Sequence, residues 1–285
     1  MSAKHSNHIA QMNQDGFLHD YAQLFFLLLF SILLIMYISA IVISNRHYKT
    51  WPLYRIVCFV LGIVLAVIAV AGPLANRATM DFTAHMVSHL LLGMLAPLLI
   101  VMAAPMTLLL RTLSTSLARA LTKILKSWPL RIVTHPIVAT LLNIGGLWLL
   151  YTTNLYALMH DNSFLHVVVH LHVFLAGYVF TISILYVDLV PYRKSFIYRA
   201  IVLIIALAGH GILSKYIYAH PPEGVPIAQA EIGSKVMYYG GDVIDAMIIF
   251  MLCLQWYKAV RPRIVEPMQK SDSLENRQID SHHFY

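Results

Sequence analysis

Long apolar runs, rather than alternating ones, set the pattern of this chain. Seven of them, at about 22–44, 53–75, 81–104, 135–151, 162–187, 195–219 and 234–259, are separated by short polar or Pro/Gly-rich links. A helix needs about 20 mainly apolar residues to cross a bilayer, so each run predicts a transmembrane helix. One stretch, about 105–128, departs from this. There Leu110, Leu113, Leu117, Leu121 and Ile124 recur at three- and four-residue steps against Arg111, Arg119, Lys123 and Lys126. That spacing gives a helix with one apolar stripe, suited to lie on a membrane surface. The expected fold class is therefore all-α. It is a polytopic membrane bundle of seven transmembrane helices plus an amphipathic helix on the cytoplasmic face. A polar outer leader (1–21) precedes a single membrane domain (22–259), and a mixed-charge tail (260–285) follows it. Pro97 should kink the third span, because proline removes a backbone donor and crowds the preceding turn.

Composition agrees with the pattern: 59% of residues are hydrophobic and only 12% charged. The formal net charge of +7 acquires a meaning once the cations are counted by side. Sixteen of the twenty Lys and Arg fall in the links 45–55, 111–131 and 193–199 and from Lys258 onward. The other four are Lys4, Arg77, Lys215 and Lys235. Cytoplasmic loops carry the excess of Lys and Arg, which sets the N-terminus outside and the C-terminus in the cytoplasm. The amphipathic helix then meets anionic membrane lipid, and the charge is a topology signal rather than a nucleic-acid patch. Two cysteines, Cys58 and Cys253, form neither a disulfide framework nor a CxxC motif. The leader has no signal-peptide pattern, so the first apolar run reads as a retained span. With no Ser/His/Asp set, phosphate loop or dinucleotide fingerprint, no enzymatic turnover is expected.

Candidate chemistry lies in the histidines. Eleven of fifteen fall on the outer side or in the outer half of a span; His47, His135, His282 and His283 are the exceptions. His85 and His89 in the third span, and His166 and His170 in the fifth, are pairs four residues apart. Each pair shares a helix face. His210 in the sixth span lies in AGHG, and Asp242 and Asp245 lie in YYGGDVIDAM of the seventh. At about 1.5 Å per residue, His85 and His166 lie roughly 6 Å from the outer ends of their helices. His89, His170, His210 and Asp242 lie roughly 10–13 Å in by the same rise. Four helices thus bring polar groups to one shallow layer, where ionisable residues are costly unless they serve a function. Imidazole is the commonest protein metal ligand, so the candidate metal residues are His85, His89, His166, His170, His210 and Asp242. His172 points roughly 120–160° away from its neighbours, and a helix-to-helix hydrogen bond suits it as well as a supporting role. Asp245 reads as a carboxylate that orients a histidine. His160 lies in an outer loop, where it is either solvated or a further ligand. Met86 is either a thioether ligand or core filling. Nitrogen and carboxylate donors without thiolate would bind Cu(II), or Cu(I) with methionine help.

The motifs HMVSHLLLGMLAPLLIVMAAPMTLLLR in the third span and HVVVHLHVFLAGYVF in the fifth, with HP at His135 and AGHG in the sixth, resemble the CtaG family of cytochrome c oxidase assembly factors. The resemblance covers about residues 80–260. It implies a seven-helix protein of the bacterial plasma membrane, required to make active haem–copper oxidase through copper handling. It also implies oxidase subunits and extracytoplasmic copper donor proteins as partners, and is compatible with a homo-oligomer. In the seventh span, where a Gln-rich segment is the commoner pattern, this chain has YYGGDVIDAM. Two alternatives stay open: a copper or proton transporter, and a b-type cytochrome with haem held between histidines of two helices.

Overall fold

A computed structural model gives the fold. It describes residues 2–190 and 192–261, with the backbone alone for 2–19. Every element among the described residues is helical. Among the described residues, six helices are long and apolar enough to cross a membrane, or seven if one bent pair counts as a single span. The chain is a multi-pass membrane protein.

The first helix, α1 (Ser2–His47), runs through the stretch read as a polar leader into the first apolar run, so the leader's backbone continues that helix. After α2 (Leu53–Val70), Gly72 at φ 84° turns the chain into a short helix, α3 (Pro73–Ala78), where only a turn was expected. Next comes α4 (Phe82–Met102), its first turn capped by Asp81, whose Oδ1 accepts from Thr83 N at 2.9 Å. This is the central helix: 67% of its apolar window is buried, against at most 44% in any other candidate span. Helices α2, α3, α10 (Ser163–Ile184) and α12 (Ile227–Val260) pack around it. Between α4 and α10 come α5 (Pro105–Thr112), α6 (Thr115–Leu125), α7 (Trp128–Val133), α8 (Pro136–Thr152) and α9 (Leu155–Asp161), and α11 (Phe196–Ala219) then pairs with α12.

Three expectations are refined. The amphipathic stretch is not one helix. Ser114 ends α5's neighbourhood and restarts the chain, its side chain accepting from Leu117 N at 3.5 Å, and a second break precedes Trp128-Pro129. The fourth span is a bent pair, with α8 and α9 meeting at 79°. The seventh begins earlier than expected, since HPPEGVP ends at Pro226 and IAQAEIG is already helix. The tail beyond Arg261 lies outside the described residues.

The irregularity expected at Pro97 sits one turn earlier, as a π-turn over Leu91–Leu95. Proline has no N–H to offer the carbonyl four residues before it, here that of Gly93. That carbonyl lies against Gly177 of α10, whose missing Cβ is what lets the two backbones meet. At its far end α4 stops on Ala104, a non-glycine residue at φ 51°. Asp188 compensates by capping α5, accepting from Met106 N at 2.7 Å and Thr107 N at 2.8 Å. Tyr37 of α1 donates to Ala103 O at 3.1 Å and accepts from Trp51 Nε1 at 3.0 Å, tying α1 to the same point.

The Gly93–Gly177 contact generates a direct expectation. Gly177→Val must push α10 off the backbone of α4, and overpacking of this kind costs about 1–3 kcal/mol or more. Thermal unfolding of the purified chain in detergent should show a clearly lowered midpoint, while Gly145→Ala, where an added Cβ meets nothing within 4 Å, should leave it within a degree or two of the parent.

Candidate functional site

The site is built from α4 outward. His85 and His89 lie one turn apart, each 6% exposed, so both rings face the interior of the bundle. The start of α4 is tied to α12 by Gln229, whose Oε1 accepts from Phe82 N at 3.0 Å. Tyr151, at the end of α8 and 2% exposed, sets its hydroxyl 3.1 Å from His85 Nε2. The bend between α8 and α9 brings Tyr156 edge-on to His85 at 5.1 Å and His160 to 6.2 Å, measured between ring centroids. From α10, His170 stands 6.3 Å from His85, with His166 stacked on it at 4.1 Å. A carbonyl only accepts, so the 2.9 Å contact between His170 Nδ1 and His166 O makes Nδ1 the donor. The lone pair of the His170 ring is then on Nε2, the same tautomer logic that serves metal-binding histidines. His160 is arranged alike, its Nδ1 donating to Tyr156 O at 2.9 Å.

These residues enclose a cavity of about 10 Å³ lined by His85, Ser88, His89, Tyr151, His170 and Val173. Buried polar atoms are as a rule hydrogen-bonded. Among the described residues, Ser88 Oγ and His89 Nε2 have no hydrogen-bond partner.

A second cavity, of about 20 Å³, lies one turn further along α4. His210 of α11, 4% exposed, lines it and stacks against His89 at 6.3 Å. Gly241 of α12 makes room for His210, since a Cβ there would come within 2.5 Å of His210 Cε1. One turn beyond Gly241, Asp245 is 5% exposed and lines the same cavity with Asn143 and Thr181.

The fold thus brings His85, His89, His170 and His210 together in the interior, with His166 and His160 at its edge. Other expected residues stand apart. His172 is exposed and donates to Leu142 O at 3.1 Å, in a second π-turn over Leu141–Gly145. Met86 is fully buried in an apolar cluster with Phe82, Tyr151 and Met237, a packing role. Asp242 is exposed on α12, so of the two aspartates it is Asp245 that the fold turns toward the histidines. Tyr151, Ser88, Asn143 and Thr181 were not singled out from sequence. Nothing local marks them; only the crossing of α4, α8 and α10 does. Among the described residues, no three His, Cys, Asp or Glu side chains stand close enough to hold a metal ion as they are.

The model of the cytochrome c oxidase caa3 assembly factor family (Caa3_CtaG) matches residues 35–259. The chain is also 25% identical over 258 residues to an uncharacterised protein of Mycobacterium leprae, an alignment covering 83% of this chain and 39% of that protein. It therefore spans about two-fifths of that relative's length. No solved structure matches.

The Tyr151–His85 contact has a measurable consequence. Tyr151→Phe leaves the buried His85 Nε2 without its hydroxyl partner, at a cost of about 1–3 kcal/mol. Thermal unfolding in detergent should register that loss, and His85→Phe in the Tyr151→Phe background should recover part of it, because both polar partners are then gone.

Proposed function

This chain belongs to the family of cytochrome c oxidase caa3 assembly factors, and from that premise we propose that it serves oxidase maturation by holding copper in its histidine pocket. The observation that carries this reading is the cavity where His85, His89 and His170 converge, with His89 Nε2 buried and unpartnered. Imidazole donors suit copper, and His166 and His160 at the edge supply a path of further imidazoles inward from the surface. Binding would cost the rotation of the His85 and His170 rings toward each other and the hydrogen bond from Tyr151. That bond contributes about 1 kcal/mol, small beside the ~10 kcal/mol or more of a well-formed ion site. No catalytic role is proposed: the residues present hold and release an ion. Both histidine-lined cavities are of a size for an ion or a water, which suits the copper reading.

The distribution of cations supports an orientation with the histidine end outward and the C-terminus in the cytoplasm of a bacterial plasma membrane. The apolar side of α6 is compatible with this arrangement, because Leu117 and Ile124 are 56% and 59% exposed and no helix among the described residues covers them. Lipid would cover them at the cytoplasmic surface. The partners proposed are oxidase subunits and a copper donor on the outer side.

Two experiments test this. In a strain lacking the protein, oxidase subunits should be inserted but deficient in copper and inactive. A plasmid copy should restore them and a His85→Ala/His170→Ala copy should not. Normal oxidase activity with altered cytoplasmic copper would instead make the protein a transporter. For orientation, Glu223→Cys in a Cys58→Ser/Cys253→Ser background should react with an impermeant thiol reagent in intact spheroplasts, and labelling seen only after lysis would reverse the orientation.

A further inference from the structure

The second cavity, beside His210 rather than His85, is a site in its own right. Its donors come from four helices: Asn143 from α8, Thr181 from α10, His210 from α11 and Asp245 from α12. Each is oriented by its surroundings. Thr181 donates its hydroxyl hydrogen to Gly177 O at 2.8 Å, which leaves the oxygen lone pairs for another partner. His210 is pressed against Gly241, and its Nε2 is buried with no hydrogen-bond partner. Among the described residues, Asp245 makes no hydrogen bond and no ion pair, although it is 5% exposed. A buried carboxylate is unfavourable without a donor or a cation beside it, and it stays charged only where a cation compensates it. An unpartnered carboxylate and an unpartnered imidazole facing one small cavity are complementary to a positive ion.

We propose that Asp245, His210, Asn143 and Thr181 form a second cation site, one helical turn deeper along α4 than the histidine pocket and communicating with it through the His89–His210 ring pair. The donor set differs from that of the first pocket. It has one nitrogen and three oxygens, a harder set that favours a divalent ion over Cu(I), whereas the first pocket is dominated by imidazoles. The cavity of about 20 Å³ accommodates a single ion or water. The His89 and His210 rings, 6.3 Å apart between centroids, stand one in each pocket's lining, and among the described residues neither Nε2 has a hydrogen-bond partner. Asp242, one turn back on the same helix, adds negative charge on the approach side. The site rests on the copper reading only for the identity of the ion.

The test is metal stoichiometry of the full chain in detergent, loaded with Cu(II), desalted, and measured by plasma mass spectrometry with electron paramagnetic resonance of the bound ion. The parent should hold about two ions per chain. Asp245→Asn and Asn143→Leu should each lower that to about one, and the resonance that disappears should be the one with fewer nitrogen couplings. His85→Ala/His170→Ala should remove the other ion and leave the oxygen-rich signal. Thermal unfolding reports whether each variant is folded; if Asp245→Asn is not, Asn143→Leu decides. A parent that binds one ion, retained by both Asp245→Asn and Asn143→Leu, overturns the second site and leaves the copper reading standing. A parent that binds none overturns both.

Discussion

The structure depends on hiding the two histidines of α4 from hydrocarbon. An imidazole facing lipid would lose its hydrogen bonds to water and gain nothing, so the helix that carries His85 and His89 has to be enclosed on every side. That requirement explains why α4 is the most buried span and why its contacts rely on small residues. Gly93 meets Gly177, Gly62 of α2 meets Ala96 O and Ile100, and Gly240 of α12 meets Leu90. In a bilayer, close backbone approach of this kind takes over from the hydrophobic driving force that is absent between helices. Enclosure also places Tyr151, His170 and His210 around α4 at separations of a single side chain. The site and the packing are therefore one arrangement, seen from the ring atoms or from the backbone.

The fold was legible in the sequence wherever a property is carried by a whole segment. Twenty apolar residues in a row specify a spanning helix almost whatever their neighbours do, and the long helices follow the apolar runs closely. What could not be read is what depends on a single backbone atom. The π-turn at Leu91–Leu95 follows from Pro97, but its position one turn earlier depends on where α10 docks. The break at Ser114 competes with a sequence periodicity that continues across it. The bend after α8 needs only Thr153 and Asn154, residues that occur as readily in a straight loop.

The site was legible to the extent that it is periodic. Pairs four residues apart on α4 and α10 share a face in any helix, so His85, His89, His166 and His170 were identifiable without coordinates. His172 was separable by the same geometry. The aspartates show the limit of that reasoning. Asp242 and Asp245 are three residues apart, about 300° of rotation, and nothing in the sequence says which of the two directions is the interior. Packing decides it: Gly241 sits against His210, and Asp245, four residues on, inherits the same face. Tyr151 stayed invisible for a related reason. It is an aromatic residue at the end of an apolar run, a place where membrane helices commonly carry tyrosine for the interface, and only the crossing of α8 with α4 and α10 turns it inward.

Buried polarity occurs at the other end of the bundle too, and the contrast shows why the histidine end reads as a place for an ion. Asp188, 5% exposed, is saturated by its own chain. It accepts from Met106 N, Thr107 N, Thr107 Oγ1 and Leu189 N, all within 2.8 Å. Arg199, 2% exposed, donates to Ile184 O and lies 4.0 Å over the Tyr186 ring and 4.4 Å over Phe196, so its charge is spread over carbonyl and aromatic faces even though Nε has no acceptor. Both residues close loops and fix where helices begin, which is work that polar groups do in any membrane protein. At the histidine end His89 Nε2, His210 Nε2 and Ser88 Oγ have no partner among the described residues, and Asp245 faces a cavity rather than a donor. Elsewhere in the bundle Ser44 Oγ and Thr140 Oγ1 are also without partners among the described residues, but they line neither cavity. Groups that stabilise a fold are spent on the fold, whereas groups kept for a ligand stay uncommitted at some cost in stability. On the copper reading, what sets this end apart is that its unpartnered nitrogen and oxygen atoms line the two small cavities, which Ser44 and Thr140 do not.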